Sequence, residues 1–221
     1  MTLLEAIDAR HSVRQYLAKP IDREKIAALK EAADSLNAES GLRLQIITDE
    51  PKAFSGPLAH YGHFTNVTSY IACVGKKGSG LNEQIGYYGE QLVLLAQQLG
   101  LNTCWAALTA SKRKSPAAIE KGEKMPVVIS LGYGETQGHP RKTKSAAEVS
   151  DAGDDAPEWY RSGLAAALKA PTATNQQRFF FTRNGSVVTP KATGGFYSDM
   201  DLGIVKLHFE IGAGKENFTW G

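Results

Sequence analysis

The chain has 221 residues and a nearly balanced charge, with 25 Lys and Arg against 23 Asp and Glu. At roughly 150 residues per domain, this length predicts one large domain or two small halves that share a core, and it suffices to bury a core without disulfides or a structural metal. A net charge of +2 excludes the strongly positive surface that is typical of proteins that bind nucleic acids or anionic membranes. We therefore expect neither kind of partner.

The cysteines and the first residues bear on the cellular compartment. Cys73 and Cys104 both have apolar neighbours, which is typical of reduced, buried thiols. The stretch Met1–Arg10 reaches two acidic residues before an apolar signal segment could form, and the longest aliphatic run, Leu92–Ala96, is far shorter than a membrane span. The sequence therefore predicts a cytoplasmic protein.

Apolar periodicity predicts the elements of the first 134 residues, and turn residues mark their ends. The longest predicted helix is apolar on almost every side, which is typical of a central position. In chain order, the predicted elements are an opening helix that ends in residues 10–14, a helix capped by Asp22, strands over 42–47 and 67–74 on either side of a loop over 55–66, the central helix over 82–99, an extended or turning segment over 101–108, a short helix opened by Ser115 and Pro116, and a strand over 126–131.

A polar, charged stretch over 135–157 predicts a connecting arm, and the pattern of elements restarts beyond it. A helix is predicted over 158–168 and another over 200–211. Between them, residues 179–181 and 187–188 predict a hairpin around Asn184 and Gly185. The order echoes that of the first part, although the residue identity between the two parts is thin.

The pentapeptide Arg10-His11-Ser12-Val13-Arg14 brings two guanidinium groups and a hydroxyl together within five residues. A guanidinium group can donate two parallel hydrogen bonds to two phosphate oxygens, and a serine hydroxyl adds a short hydrogen bond. The pentapeptide therefore fits a clamp for one phosphomonoester. The alternative is a basic helix C-terminus that only complements the helix dipole, which is the commoner case for this spacing alone.

An opening helix followed by Arg-x-Ser-x-Arg resembles the FMN-phosphate motif of the nitroreductase family of flavoproteins. Three further pieces are similar to that family, and together the four pieces span most of the chain. They are Ala170–Gln177, which resembles the family's Pro-Ser-Ser-x-Asn-x-Gln segment; the central helix running into Leu99–Trp105; and the strand to Leu131–Gly134 followed by the basic Arg141, Lys142 and Lys144.

The order of these pieces is similar to the fused branch of the family, in which two nitroreductase-like halves of one chain form a pseudo-dimer. In ordinary members, the Pro-Ser-Ser-x-Asn-x-Gln segment follows the first two helices. At that place this chain has Ala33–Glu39, which lacks the proline of the segment, and the intact segment lies in the second half. The resemblance implies an α+β fold with a mostly antiparallel sheet flanked by helices. It divides the chain into a first half over 1–150 with the clamp and a shorter second half over 151–221, with one flavin site, as a monomer or a homodimer.

Residue by residue, the resemblance implies an FMN site. Arg10, His11, Ser12 and Arg14 would hold the phosphate and ribityl end, with Arg14 also reaching the pyrimidine edge. The other implied contacts are Arg141 and Lys144 closing over the phosphate; Ala107, Leu108 and Thr109 pointing a backbone N–H at flavin N5; and Pro171, Thr172, Ala173 and Asn175 approaching the isoalloxazine.

The resemblance also implies an activity. The chain would take hydride from NADH or NADPH and reduce a nitroaromatic, quinone or similar conjugated small molecule in two ping-pong steps. FMN carries the redox chemistry of such sites, so no catalytic side chain is named. Arg178 and Phe179 replace the usual proline and tryptophan, and Ala106 and Ala107 replace common glycines. Two alternatives stay open: a noncatalytic protein that binds or stores FMN, and a structural pseudo-dimer that has lost FMN.

Four other signals favour a plain structural interpretation. Gly132-Tyr133-Gly134 precedes residues that cannot open the helix of a dinucleotide-binding loop, so it predicts a turn. His60 and His63 have no metal-spaced partners, so they are predicted to be loop histidines and no metal is expected. The basic run 112–114 is more typical of a solvated turn than of a nicotinamide-phosphate contact. His208 is predicted to be a satisfied or half-buried residue of the last helix.

Overall fold

The structure, a computed structural model, describes residues 1–153 and 155–221 and divides the chain into two compact units. Unit 1 consists of Met1–Asp8, Asn82–Gln91 and Arg141–Gly221, and unit 2 consists of Ala9–Leu81 and Leu92–Pro140. Neither unit is continuous in sequence. The predicted division at residue 150 concerns the two repeated halves, and it stays a prediction.

Unit 2 is built on a four-stranded antiparallel sheet in the order β1-β2-β4-β3. Apolar runs form the two inner strands, which are almost wholly buried. Phe54, Phe64 and Tyr70 pack their rings together in the core of this unit. The elements are α2 (Arg23–Ser40), β1 (Arg43–Ile47), α3 (Pro57–Tyr61), β2 (Ser69–Lys76), β3 (Asn102–Ala106) and β4 (Glu123–Gly132).

Unit 1 contains a second, three-stranded sheet and most of the remaining helices. β5 and β6 form an antiparallel hairpin, and β7 adds a short parallel pairing to β6. The rings of Phe181 and Phe209 stack with centroids 4.7 Å apart in its core. The elements are α1 (Leu3–Ala9), of which the last residue belongs to unit 2, α5 (Ala146–Val149), α6 (Glu158–Ala167), β5 (Phe179–Asn184), β6 (Val187–Ala192), α7 (Ser198–Ala213) and β7 (Thr219–Trp220).

The central helix α4 (Leu81–Gln98) contributes residues 82–91 to unit 1, and its residues 81 and 92–98 belong to unit 2. In unit 1 its Gly86 lies against α7, where an added Cβ would overlap the Met200 carbonyl. Gly203 of α7 is its counterpart, because a Cβ there would overlap the Glu83 carbonyl of α4. Two glycines thus allow the two helix backbones to touch.

The α+β class, the mostly antiparallel strands, the long helices and the hairpin are confirmed. Both cysteines are free and buried, as predicted. In the part of the chain that the structure describes, the strands form two sheets, one in each unit, where one central sheet was expected. Within residues 1–153 and 155–221, no helix is both long and apolar enough to span a membrane.

Three element predictions are wrong. The loop predicted over 55–66 contains α3, which Pro57 opens at a position where its missing N–H costs nothing. The opening helix ends at Ala9, so residues 10–14 lie outside it. No helix begins at Ser115 and Pro116, because the backbone N–H and carbonyl of Ala118 bond instead to the side chain of Gln45, at 2.8 and 3.0 Å.

Two further predictions hold in part. Asp22 occupies the N-cap position of α2, but its side chain makes no capping bond and accepts a hydrogen bond from the Tyr133 hydroxyl at 2.7 Å. The polar arm over 135–157 contains the short helix α5, with a capping box between Ser145 and Glu148. Residue 154 of that arm lies outside the described residues.

Candidate functional site

The predicted clamp, Arg10–Arg14, is an extended segment of unit 2. The backbone N–H of Val13 bonds to the Thr103 carbonyl of β3 at 3.0 Å, and the Thr65 N–H bonds to the Arg14 carbonyl at 3.1 Å. Side chains alternate along extended backbone, so Val13 is buried while Ser12 and Arg14 are exposed. Hydrogen bonds on both sides therefore hold the segment in place, with Ser12 and Arg14 exposed and the Ser12 hydroxyl also within hydrogen-bonding reach of the Cys104 thiol.

Tyr16 anchors this segment in the core of unit 2. Only 1% of Tyr16 is exposed, and its hydroxyl donates to the Val13 carbonyl at 2.7 Å and lies 2.7 Å from Ser130 Oγ. Burial raises the pKa of Tyr16 well above its usual value, so the phenol stays protonated. The hydrogen bond to the Val13 carbonyl fixes the path of the backbone between Val13 and Tyr16.

A glycine-rich stretch after β4 packs directly against the clamp segment. An added Cβ at Gly132 would lie 2.8 Å from the Tyr16 ring, and one at Gly134 would lie 2.8 Å from Val13 Cγ1. At Gly138 it would lie 2.5 Å from the Cβ of His11. No helix follows β4 there, as predicted, but the residues predicted as a turn stay extended: Gly132 ends β4 and Gly134 pairs with Tyr16. Because these glycines lack a Cβ, the backbone of residues 132–138 can pack directly against the clamp.

A cavity of about 510 Å³ opens beside the clamp within unit 2, a size typical of small-molecule sites. Its polar side chains include the Ser12 hydroxyl, the Arg14 guanidinium and two exposed imidazoles, which are hydrogen-bond donors suited to an anion. The cavity is lined by Ser12, Val13, Arg14, Gln15, Gly62, His63, Thr136, Gly138 and His139.

His63 adopts an unusual backbone conformation at this cavity, with φ of 58°. Non-glycine residues rarely adopt positive φ, and such residues concentrate at functional sites. The sequence placed His63 in a loop, which is confirmed because α3 ends at Tyr61. His60 lies in α3 instead, so for that histidine the loop prediction is wrong.

Both clamp guanidiniums act on Cys104 of β3. Burial raises the pKa of the Cys104 thiol, and the positive charges of Arg14 and Arg10 lower it in part. Arg10 itself is only 5% exposed. The positive potential of the clamp therefore extends inward to the sheet as well as outward to the cavity.

The segment Ala107–Thr109, predicted to face flavin N5, follows directly after β3 in unit 2. Leu108 is 70% exposed, whereas Ala107 and Thr109 are half-buried. A Cβ added to Gly62, which lines the cavity, would lie 2.7 Å from Thr109 Cγ2. Thr109 therefore reaches the border of the cavity that the clamp residues line.

The other predicted site residues belong to unit 1, where Arg141 holds the segment Pro171–Asn175. Its guanidinium donates to the side-chain oxygen of Asn175 and to the carbonyls of Leu168 and Ala170, the latter two at 2.9 and 2.6 Å. Asn175 in turn donates to the Lys142 carbonyl at 2.9 Å. The Asn175 amide and the Arg141 guanidinium thus bind the polar arm to the segment.

Lys144 makes a second attachment between the same two stretches. Its ammonium donates to the Gln177 carbonyl at 2.8 Å, and its backbone N–H donates to the Gln177 side-chain oxygen at 3.0 Å. In unit 1, therefore, Arg141 and Lys144 both position residues 170–177. Their predicted closure over a phosphate stays a prediction.

The segment itself is strained. Ala173–Asn175 form a single 3₁₀ turn in which Thr174 has φ of 49° and Asn175 of 56°, and Gln177 follows with 46°. Asparagine tolerates this left-handed region, but threonine and glutamine rarely adopt it. Pro171 is buried, and Thr172 and Ala173 are half-buried. Strain of this kind persists only where surrounding contacts hold it.

The structure thus groups the predicted residues by unit. Arg10, His11, Ser12, Arg14 and 107–109 belong to unit 2, and Arg141, Lys144 and 171–175 belong to unit 1. The cavity residues that could not be selected from the sequence are Gln15, Gly62, His63, Thr136, Gly138 and His139. The glycine spacing after β4 was the one available signal for Gly138, and it was interpreted as a turn. Among the described residues, no group of three or more His, Cys, Asp or Glu is arranged to hold a metal ion.

Over residues 2–213 the chain matches the sequence model of a family described as "Putative TM nitroreductase". The chain belongs to this nitroreductase family. The resemblance carried by the clamp and by Ala170–Gln177 is therefore confirmed. No curated protein matches the chain.

Solved structures share the nitroreductase fold with this chain. A "putative nitroreductase" from Thermotoga maritima is 22% identical with a TM-score of 0.70, and the match covers 98% of this chain and 85% of that one. A "putative nitroreductase" in complex with FMN from Desulfovibrio desulfuricans is 19% identical with a TM-score of 0.54, covering 67% and 95%. A "putative NADH dehydrogenase/NAD(P)H nitroreductase" from Bacteroides thetaiotaomicron is 20% identical with a TM-score of 0.54, covering 66% and 95%.

Proposed function

We propose that this nitroreductase-family chain is an FMN-dependent oxidoreductase that takes hydride from NADH or NADPH and reduces a nitroaromatic, quinone or similar conjugated acceptor. The observation that carries the proposal is the cavity of unit 2, where Ser12 and Arg14 face solvent from a rigid extended segment. A structure with the same fold contains FMN. When bound, FMN would supply the redox chemistry, and the protein would supply binding and orientation.

The donor set of the cavity fits a phosphomonoester. The Arg14 guanidinium can bind two phosphate oxygens in parallel, and the Ser12 hydroxyl can donate to a third. His63 and His139 add imidazole N–H groups around the same space. Arg10 and His11 would support this end of the cofactor from behind, since Arg10 is buried and His11 is half-buried.

Backbone groups would orient the ring. For unit 2, we propose that the stretch Ala107–Thr109 directs a backbone N–H at flavin N5, which its position at the border of the cavity supports. For unit 1, the proposal is separate: Pro171, Thr172, Ala173 and Asn175 form a segment whose small, partly exposed residues suit close approach of a planar ring. No side chain is assigned as an acid or base, because the reaction requires none.

The pseudo-dimer is also a proposal. The two smaller nitroreductases are 95% covered by the match, yet they account for only 66% and 67% of this chain. About a third of the chain therefore lies outside one such subunit fold. That remainder supports a shorter second nitroreductase-like half fused to the first, with the chain acting as a monomer or as a homodimer.

The experiment that tests the function starts from the visible absorbance of the purified protein, with FMN added if it is colourless. Anaerobic addition of NADH or NADPH should bleach the flavin band, and a quinone or nitro compound should restore it. A protein that binds FMN but is not bleached by either donor would be a noncatalytic flavin-binding protein. A protein that stays colourless with added FMN would be a structural relative that has lost the cofactor.

The clamp predicts a specific loss of affinity. Replacing both Ser12 and Arg14 by Ala should weaken FMN binding by about 3 kcal/mol or more, since hydrogen bonds to charged groups contribute about 1.5–3 kcal/mol each. Fluorescence titration of FMN measures the change. Arg113→Ala is the matched control, because it removes an exposed guanidinium of the same unit that does not line the cavity. Equal affinities in the clamp and control variants would contradict the assignment.

A further inference from the structure

A buried carboxylate holds the strained segment of unit 1. Asp201, in the first turn of α7, is 5% exposed. Its Oδ1 and Oδ2 lie 2.9 and 3.1 Å from the backbone N of Ala173, and Oδ2 accepts a hydrogen bond from the Gln176 amide at 2.8 Å. The carboxylate therefore binds both ends of the turn Ala173–Gln176.

The hydrogen bonds of Asp201 hold the two sides of a backbone stretch that has positive φ. Thr174, which has φ of 49°, lies between the two residues that Asp201 binds. The Gln176 amide also donates to the Phe196 carbonyl at 2.7 Å, which fixes its orientation with both amide hydrogens used. Arg141 and Lys144 hold the same segment through Asn175 and Gln177. Asp201 contributes the attachment to α7.

Burial disfavours the ionised form of the Asp201 carboxyl group. Burial raises the pKa of Asp201 to about 6, and the hydrogen bonds from Gln176 and Ala173 only partly offset that effect. Both donors are uncharged, and the acidic residue two positions earlier on the helix, Asp199, is exposed. A buried charge whose donors are neutral is costly to the fold and is more often found where a function needs it.

We propose that Asp201 is a positioning residue that fixes Thr172–Gln177 in the conformation that faces the flavin ring. The proposal rests on the proposed function. The ionised form is the effective one, because both of its oxygens accept and the hydrogen bonds to Ala173 and Gln176 are charge-assisted. Protonation turns one oxygen into a donor among groups that are themselves donors.

The test compares Asp201→Asn with Asp199→Asn, which makes the same change of charge at an exposed site of the same helix. At pH 7.5, fluorescence titration should give a Kd for FMN at least about tenfold higher in Asp201→Asn than in the wild type, because FMN binding must then order the segment that Asp201 holds in the wild type. Asp199→Asn should stay within about twofold. Gln176→Ala provides a second variant that keeps the carboxylate.

The pH dependence separates positioning from a general loss of structure. The ratio of the Kd of Asp201→Asn to that of the wild type should fall from about tenfold toward one between pH 7.5 and pH 5, as Asp201 of the wild type is protonated. The FMN phosphate also titrates in this range. It is common to both measurements and cancels in the ratio. A ratio that is the same at both pH values would overturn the proposal.

Amide hydrogen exchange without FMN makes the outcome independent of flavin chemistry. Exchange in the peptide over 170–178 should be at least about tenfold faster in Asp201→Asn and in Gln176→Ala than in the wild type and Asp199→Asn. If the wild type fails to bind FMN, the proposed function is wrong, and with it the ring-facing role. Unchanged exchange in both variants would overturn the positioning role even in a protein that binds FMN.

Discussion

Glu90 of α4 and His208 of α7 form a fully buried pair in unit 1. Glu90 Oε1 lies 3.0 Å from His208 Nε2, and His208 Nδ1 lies 3.2 Å from the Ala166 carbonyl. Because a carbonyl only accepts, Nδ1 carries a hydrogen, and Nε2 shares a proton with the carboxyl group. The prediction of a satisfied histidine is confirmed, since both ring nitrogens have partners.

Breaking this pair on one side should be more damaging than removing it altogether. Glu90→Leu or His208→Leu alone should lower the free energy of unfolding by about 3–5 kcal/mol, because each leaves a buried polar partner behind. The double variant should lose less than either single variant, because it leaves neither buried partner behind. Urea denaturation measures all four proteins. Additive losses would mean that the two side chains contribute independently.

At the residue scale, motif chemistry selected Ser12 and Arg14, because a phosphate needs hydroxyl and guanidinium donors wherever it binds. Both residues line the cavity of unit 2, and their binding of a phosphate stays a prediction. The cavity residues Thr136 and His139 could not be predicted, since distant backbone pairing brings them to the clamp. In that pairing the Glu135 N–H bonds to the Gln15 carbonyl at 2.9 Å. Asp201 was also missed. It looks like an ordinary acidic residue in the first turn of a helix until the turn Ala173–Gln176 is seen to lie against it.

At the element scale, the crossing of α4 and α7 depends on Gly86 and Gly203. Ala at either position would force the helix backbones apart, and we expect each substitution to lower the free energy of unfolding by about 2 kcal/mol or more, as overpacking does in well-packed cores. The measurement is the midpoint and slope of chemical denaturation.

Gly78→Ala is the control for this prediction. No atom lies within 4 Å of a Cβ added at Gly78, and its φ is not in the left-handed region. We expect Gly78→Ala to change the free energy of unfolding by less than about 1 kcal/mol, in either direction. A similar loss in all three variants would show that close packing is not the cause.

Elements with strong periodicity were predicted well, and elements defined by distant partners were not. α2, α4 and α7 carry long apolar stripes, which decide their conformation locally. The residues after Ser115 have helix-opening chemistry but are held extended by Gln45, about seventy positions away. β7 has only two residues, and the N–H of Thr219 bonds to the Ser186 carbonyl beside β6. No local sequence pattern predicts a strand of two residues.

At the scale of the whole molecule, the proposed fused arrangement predicts the cofactor content. The clamp motif occurs once, in residues 10–14, so we expect about one FMN per chain in a saturated sample. Flavin released by denaturation, measured by its absorbance against the protein concentration, gives the ratio. A ratio near two would contradict a single site, and a ratio near one half would show that two chains share one cofactor.

The discontinuous units also constrain how the chain folds as the ribosome makes it. All residues of unit 2 have been synthesised once Pro140 is added, whereas unit 1 needs Arg141–Gly221. At roughly 5–20 residues per second, that stretch takes on the order of ten seconds. During this time Ala6 and Ile7 of α1, both buried in the structure, await most of the unit to which they belong. The described residues with the lowest numbers in unit 1 thus precede all of unit 2 in the chain, yet their unit is completed only after unit 2.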